Sequence, residues 1–167
     1  MNKLFIYYSN SGNGDVVASK MKDLGYDIRK VSTNYKLSKN LFLACMKGGF
    51  HAAIGKKAKL NNYNNDVNNY DEICIGSPIW NGRFACPINT VLKNTNLENK
   101  LLTFILYSGS GEAKKAYQKI LKKYPSAKII ILKQPKSNLG ELDRIEGLLW
   151  EELKLNNYLK QNKNKKC

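Results

Sequence analysis

One histidine and four scattered cysteines are all the soft metal ligands that 167 residues offer. None of Cys45, Cys74, Cys86 and Cys167 forms a CxxC pair, so no zinc or other metal site is expected. Cys74 sits in a strand pattern and reads as a small core hydrophobe. Cys86 is also read as packing, and Cys167 lies on a polar tail. Such cysteine usage fits a cytoplasmic protein, and the start at Met1–Lys3 shows no secretory pattern. Long apolar runs are missing too. The longest weakly polar stretch, Asn40 to Gly55, is broken by Lys47, a glycine pair and His51, and falls short of the ~20 apolar residues that span a bilayer. It reads as a half-buried helix, not a membrane span. Two common phosphate-binding signatures, GxxxxGK[ST] and GxGxxG, do not occur in the loop after the first strand.

Acidic residues are scarce: 13 against 28 basic ones, for a formal net charge of +15. The excess is uneven. Residues 1–60 carry net +8, residues 61–100 net −1, and residues 101–167 net +8. A positive field favours acidic protein partners or nucleic acid. Many lysines alternate with asparagine, which makes part of the excess compositional, and nucleic acid is kept as the lesser reading.

What the chain does have is strands alternating with helices. The first stretch, Leu4 to Met21, runs from an apolar segment through Ser9, Asn10, Ser11, Gly12, Asn13 and Gly14 into a helix pattern with Val17, Met21 and Leu24 on one face. Glycines let backbone N–H groups converge, hydroxyls add donors, and a helix N-terminus adds partial positive charge, so the arrangement suits a phosphate. An ordinary strand-to-helix turn capped by Ser and Asn is the plainer alternative. Strand two is expected over Asp27 to Val31, an edge strand guarded by Arg29 and Lys30. A crossover helix is expected from Ser38 to about Ala58, then a polar connection, Asn61 to Asn69, with little reason to be rigid. Strand three is Glu72 to Gly76. Strand four, Leu101 to Tyr107, is apolar throughout, as in a central strand of a parallel sheet. A helix over about Glu112 to Tyr124 would bury Ala113, Ala116, Tyr117, Ile120 and Leu121. Strand five is Lys128 to Leu132. The last helix, about Glu141 to Leu159, turns Leu142, Ile145, Leu149 and Leu153 inward.

This alternation implies an α/β fold with a doubly wound parallel sheet, one domain over residues 1–160 and a basic tail over 161–167 expected to fray. Ligands of such sheets bind outside the carboxyl ends of the strands, at the switch point. Three distinctive loops leave those ends: Ser9–Gly14, Ser77–Pro87 and Ser108–Glu112.

These loops carry a resemblance. Ser9-x-Ser11-Gly12-Asn13-Gly14 is similar to the phosphate loop of the flavodoxin family, except that Gly14 stands where many members have threonine, so one hydroxyl donor is missing. Tyr70-Asp71 followed by Gly76-Ser77-Pro78-Ile79-Trp80-Asn81-Gly82 resembles that family's strand-three block. Tyr107-Ser108-Gly109-Ser110-Gly111 resembles its third loop, without an internal aromatic. Met46-Lys47-Gly48-Gly49-Phe50 is similar to flavodoxin-family oxidoreductases of low-GC bacteria. The resemblance implies a flavodoxin-like three-layer sandwich, with a five-stranded parallel sheet in the order 2-1-3-4-5. It also implies an FMN site with no protein catalytic residue. There, Ser9, Asn10, Ser11, Gly12, Asn13 and Gly14 would hold the phosphate without a basic side chain. Trp80, after Ser77, Pro78 and Ile79, would stack on the ring. A peptide at Asn81-Gly82 would turn toward the reduced flavin. Ser108, Gly109, Ser110 and Gly111 would bond its other edge, with the second stacking aromatic either missing or replaced by Tyr107. Arg83, where many members are acidic, would make the lower couple less strongly reducing. The implied role is an electron carrier, monomer or dimer, meeting redox partners with an acidic docking surface. An NAD(P)H-dependent FMN or quinone reductase of the same fold is the first alternative. A basic binding module without flavin is the second.

Overall fold

The computed structural model describes residues 1–34, 50–51 and 54–147. The bulk of the expected crossover helix, the 46–49 segment, the end of the last helix with the domain boundary at 160, and the 161–167 tail lie outside the described residues. The elements are β1 Lys3–Tyr7, α1 Asn13–Asp23, β2 Asp27–Lys30, β3 Glu72–Trp80, β4 Arg83–Phe84, α2 Cys86–Asn94, β5 Leu101–Ser108, α3 Lys114–Lys123 and β6 Lys128–Lys133. A 3-10 turn, Leu139–Leu142, leads into a helical stretch at 143–147.

Five parallel strands form the sheet in the order β2-β1-β3-β5-β6. This is the expected five-strand order; β4 is an addition, paired antiparallel to the end of β3. Alternate residues of each central strand feed opposite faces. Leu4, Ile6, Ile73, Ile75, Phe104 and Leu106 pack on one side with Ile88 and Val91 of α2 and Ala116 and Ile120 of α3. Phe5, Tyr7, Cys74, Ile105, Tyr107 and Leu132 pack on the other with Val17, Ala18 and Met21 of α1 and with Ile145. Helices therefore cover both faces, giving three layers. Among the described residues no helix is long and apolar enough to cross a membrane.

Several boundaries move. β3 runs four residues beyond Gly76, because Gly76 is not a breaker here. Phe5 and Tyr7 stack with ring centroids 5.2 Å apart, and the Phe5 ring lies across residue 76. A side chain at that point would collide, so glycine is what lets β1 and β3 pair. The helix α2 was not expected. Half its residues look like strand or loop material, yet Pro87 in its first turn pre-sets the helical φ. On α3, Tyr117 and Leu121 are about 40% exposed, while Ala113, Ala116 and Ile120 are buried, so the buried stripe is narrower than the spacing suggests. The 61–69 connection is tied down: Arg29 Nη1 donates to the carbonyls of Asn64 and Asp66 at 3.0 and 2.8 Å, and Val67 is buried.

A Cβ at residue 76 would stand 2.5 Å from Phe5 Cζ and 2.9 Å from Tyr7 Cβ. Gly76→Ala is expected to lower stability by about 1–3 kcal/mol, read as a drop in the urea midpoint at unchanged slope.

Candidate functional site

The carboxyl ends of β1, β3, β5 and β6 carry the loops singled out above, and a fourth. The first loop ends at Gly12, the residue capping α1, with φ of +95°. Glycine adopts that angle without strain. It also brings no capping side chain, so no capping side-chain hydrogen bond occupies the amides of the first helical turn. Gly12 O accepts from Asp15 N at 3.1 Å and Val16 N at 3.3 Å. The hydroxyls of the loop have different fates. Ser9 Oγ donates to Asp15 Oδ2 at 2.8 Å. Ser11 Oγ instead accepts from Asn13 Nδ2 at 3.2 Å, which leaves its own proton to donate outward.

Gly14 has a specific cause. A Cβ there would stand 2.5 Å from Tyr107 Oη and 3.0 Å from both Tyr107 Cζ and Ser9 Cβ. Tyr107 fills the space a threonine side chain would need, and its hydroxyl donates to the carbonyl of Tyr8. Tyr107 is 3% exposed and belongs to the α1 face of the sheet. It is therefore a brace under the first loop and not a replacement stacking aromatic; burial alone rules that out and raises its phenol well above the usual value.

β3 carries Ser77, Pro78, Ile79 and Trp80 as strand, not loop. Ser77 is buried, donating to Pro78 O at 2.8 Å and accepting from Ala85 N at 3.4 Å. Its hydroxyl serves the hairpin. Trp80 is half-buried and stands edge-on to Tyr8, with centroids 6.2 Å apart and rings at 88°. Asn81 and Gly82 have φ of +50° and +73°, the signature of a two-residue hairpin turn, and Trp80 pairs with Arg83 across it. Gly82 O accepts from Ala116 N at 2.7 Å, which pins the hairpin to the first turn of α3.

In the third loop Ser108 Oγ accepts from Gly111 N at 2.9 Å and Ser110 Oγ from Glu112 N at 3.2 Å. Both hydroxyls keep a proton to donate. The cap of α3 is Ala113, so these serines shape the loop instead of capping the helix. The fourth loop follows β6, and sequence reading gave it no role. Gln134 Nε2 donates to Gly109 O at 3.1 Å, and Lys136 N donates to Asn13 Oδ1 at 3.0 Å. Its place after the carboxyl end of β6 was the signal that could have found it.

Asp15, one residue past the first loop, was also missed. It accepts from Tyr7 Oη at 3.0 Å, Ser9 Oγ at 2.8 Å and Lys30 Nζ at 2.7 Å. Partial burial works to raise its pKa, but the bonds from Lys30, Ser9 and Tyr7 outweigh it and hold the carboxyl below the ordinary 3.8. A hollow of about 720 Å³ lies at the other end of the sheet, between the start of β5 and the end of α3, and gathers none of these residues.

The first turn of α1, a half-buried tryptophan on the neighbouring hairpin and a serine-glycine loop after β5 thus lie at the carboxyl ends of the strands, around the switch point. A family model described as flavodoxin matches residues 51–146, more than half of the chain, and the chain belongs to the flavodoxin family. That match includes the second and third loops but begins beyond the first. Among solved structures, a protein from Bacteroides eggerthii assigned as a flavoprotein is 18% identical. It covers 87% of this chain and 98% of its own, with a TM-score of 0.67. A flavoprotein from Lactobacillus acidophilus, solved in complex with FMN, is 23% identical, covering 85% and 98%, with a TM-score of 0.60. No curated protein sequence matches.

Two outcomes follow from this geometry. Gly14→Thr, which restores the common family residue, is expected to cost about 1–3 kcal/mol by overpacking; Gly14→Thr with Tyr107→Leu is expected to cost less than the sum of the two single changes, in a denaturation cycle. The depressed carboxyl of Asp15 contributes stability above its unfolded pKa that is lost as pH falls through the folded value. Asp15→Asn is therefore expected to flatten the decline of the thermal midpoint below about pH 4.

Proposed function

We propose that this protein binds FMN at the switch point and carries electrons between redox partners. The observation that carries the reading is the uncapped first turn of α1, with Gly12 at φ +95°, beside half-buried Trp80. The donor set fits a phosphate monoester and a flat ring. The amides of Gly12, Asn13 and Gly14 and the hydroxyl of Ser11 would hold the phosphate, with Ser9 and Asn10 shaping the loop. Trp80, carried by Ser77, Pro78 and Ile79, would cover one face of the ring and exclude water. Asn81 and Gly82 already sit at positive φ, where a peptide can present its carbonyl either way. Ser108 and Ser110, with the amides of Gly109 and Gly111, would bond the far edge. When bound, the cofactor supplies the electron-transfer chemistry, and the protein sets its position and surroundings. The fold likeness to the FMN-bound Lactobacillus acidophilus flavoprotein supports the choice of cofactor.

The partner we propose is an acidic protein met in the cytoplasm. A hollow of about 230 Å³ is lined by Lys57, Lys93, Lys119 and Lys123 around Phe84 and Asn89. A neighbouring one of about 180 Å³ adds Arg83 and Lys115. Among the described residues lining them there is no carboxylate. Burial and the like charges of Lys123 and Lys57 hold Lys119 below its ordinary pKa, as expected where positive charge is uncompensated. Arg83, paired with Trp80, places a cation next to the proposed ring site and favours a reduced, negative flavin.

A reductase using NAD(P)H directly is the second reading. It is favoured by the absence of an aromatic in Ser108–Gly111 together with the burial of Tyr107, so that the third loop supplies no second cover to the outer ring face. The test is titration of the purified chain with FMN, followed by flavin fluorescence and the visible spectrum. Quenching with a shifted spectrum at micromolar protein is expected, and Trp80→Leu is expected to weaken binding about tenfold or more, a stacking loss of ~1–3 kcal/mol. Unchanged fluorescence would count against the reading. Steady NAD(P)H oxidation with a quinone would select the reductase.

A further inference from the structure

The connection after β6 folds back across the first loop and brings a lysine with it. Lys136 N donates to Asn13 Oδ1 at 3.0 Å, and Lys136 Nζ reaches Ser11 O at 3.4 Å. A Cβ built on Gly12 would lie 3.0 Å from Lys136 Cδ and 3.1 Å from its Nζ, so the side chain rests directly over the glycine. The segment is fixed from its other end. Gln134 N donates to Ser108 O at 3.0 Å, Gln134 Nε2 to Gly109 O at 3.1 Å, and Pro135 is buried. Gln134 holds φ at +45°, a left-handed conformation that a non-glycine residue keeps only where its surroundings impose it. The backbone is thus committed to delivering residue 136 to this spot.

The contact also sets a hydrogen-bond direction. Because Asn13 Oδ1 takes the amide of Lys136, its Nδ2 turns to Ser11 Oγ, and Ser11 is left to donate its proton outward. The long contact of Nζ to Ser11 O leaves the ammonium with donors to spare. The nearby carboxylate, Asp15, is taken by Lys30 at 2.7 Å, and among the described residues no acid forms an ion pair with Lys136. Among the described residues, the first loop therefore carries a cation without an acidic partner.

We infer that Lys136 is the charge partner of the ligand's phosphate, standing in for the hydroxyl that Gly14 cannot supply. The inference rests on the flavin reading above and deepens it: the loop selects a flavin that carries a phosphate dianion over a neutral flavin, and its grip weakens with salt.

The experiment compares the full chain with Lys136→Gln and Lys136→Arg. FMN and riboflavin are titrated by fluorescence at low and high salt, and inorganic phosphate is titrated while following the amide shifts of Gly12, Asn13 and Gly14. The expected result is that Lys136→Gln weakens FMN about tenfold, the size of one charge-assisted bond. Riboflavin should stay within about twofold and the salt dependence for FMN should shrink. Lys136→Arg keeps most of the FMN affinity. The phosphate-induced shifts at Gly12–Gly14 should weaken in parallel in Lys136→Gln. Equal loss of FMN and riboflavin would reduce Lys136 to a structural clasp and overturn the inference, as would unchanged affinity for both FMN and phosphate. If the wild-type chain bound phosphate in a Lys136-dependent way but neither flavin, the flavin reading would fall while the role of Lys136 stood.

Discussion

The carboxyl ends of β1, β3 and β5 come together because two side chains are absent where they meet. At residue 76 the missing side chain is replaced by the Phe5 ring, and at residue 14 by the phenol of Tyr107. Tyr107 is the more consequential of the two. Its ring rises from the end of β5, passes under the loop that follows β1, and its hydroxyl closes on the carbonyl of Tyr8. A buried carbonyl at a strand end must find a donor, and here the donor comes from two strands away. The start of α1 is thereby fixed relative to β5, and with it the distance between the first and third loops.

That brace determines how the first loop can treat an anion. With Tyr107 in place, residue 14 can hold no side chain, so the loop relies on backbone amides and Ser11. The fourth loop compensates geometrically: it reaches across, orders Asn13, and sets Lys136 over Gly12. The hairpin is held by a further bond, Gly82 O to Ala116 N, so Trp80 is positioned by α3 as well as by its edge-on contact with Tyr8 at the start of the first loop. The two halves of the proposed site thus meet at Tyr8, which Tyr107 holds from below and Trp80 touches from the hairpin.

Much of this was legible in the sequence because periodicity and loop chemistry pointed the same way. The apolar run over Leu101–Tyr107 marked a central strand, and the structure puts β5 between β3 and β6. Asn81-Gly82 marked a turn needing positive φ, and both residues have it. What was not legible depended on contacts between distant residues. Gly76, Ser77 and Pro78 looked like a strand terminus, but Gly76 answers to Phe5 and the Ser77 hydroxyl is satisfied inside the hairpin. Asn61–Asn69 looked loose, and is held by Arg29 from β2. Gly14 looked like a weakened phosphate donor, when the cause was a tyrosine 93 positions later. Lys136 was one lysine among many, and only the fold singles it out.

The net positive charge can now be divided by position. Lys30 is consumed by Asp15, Lys20 by Glu146, and Arg144 by Glu141. These pairs are partly exposed and worth little individually, but they remove charge from the α1 side of the sheet. Among the described residues, cations outside these pairs include Lys136 at the first loop and the group from Lys57 to Lys123 around the hollow beside Phe84. The first lies where a phosphate would sit and the second where a larger acidic surface could dock. Attraction to an anion falls off over about 8–10 Å at physiological salt, so each group acts chiefly on the anion nearest to it. In the proposed reading Lys136 faces a small dianion and the lysines around Phe84 face an acidic partner, while Arg83, paired with Trp80 and lining the neighbouring hollow, is common to both.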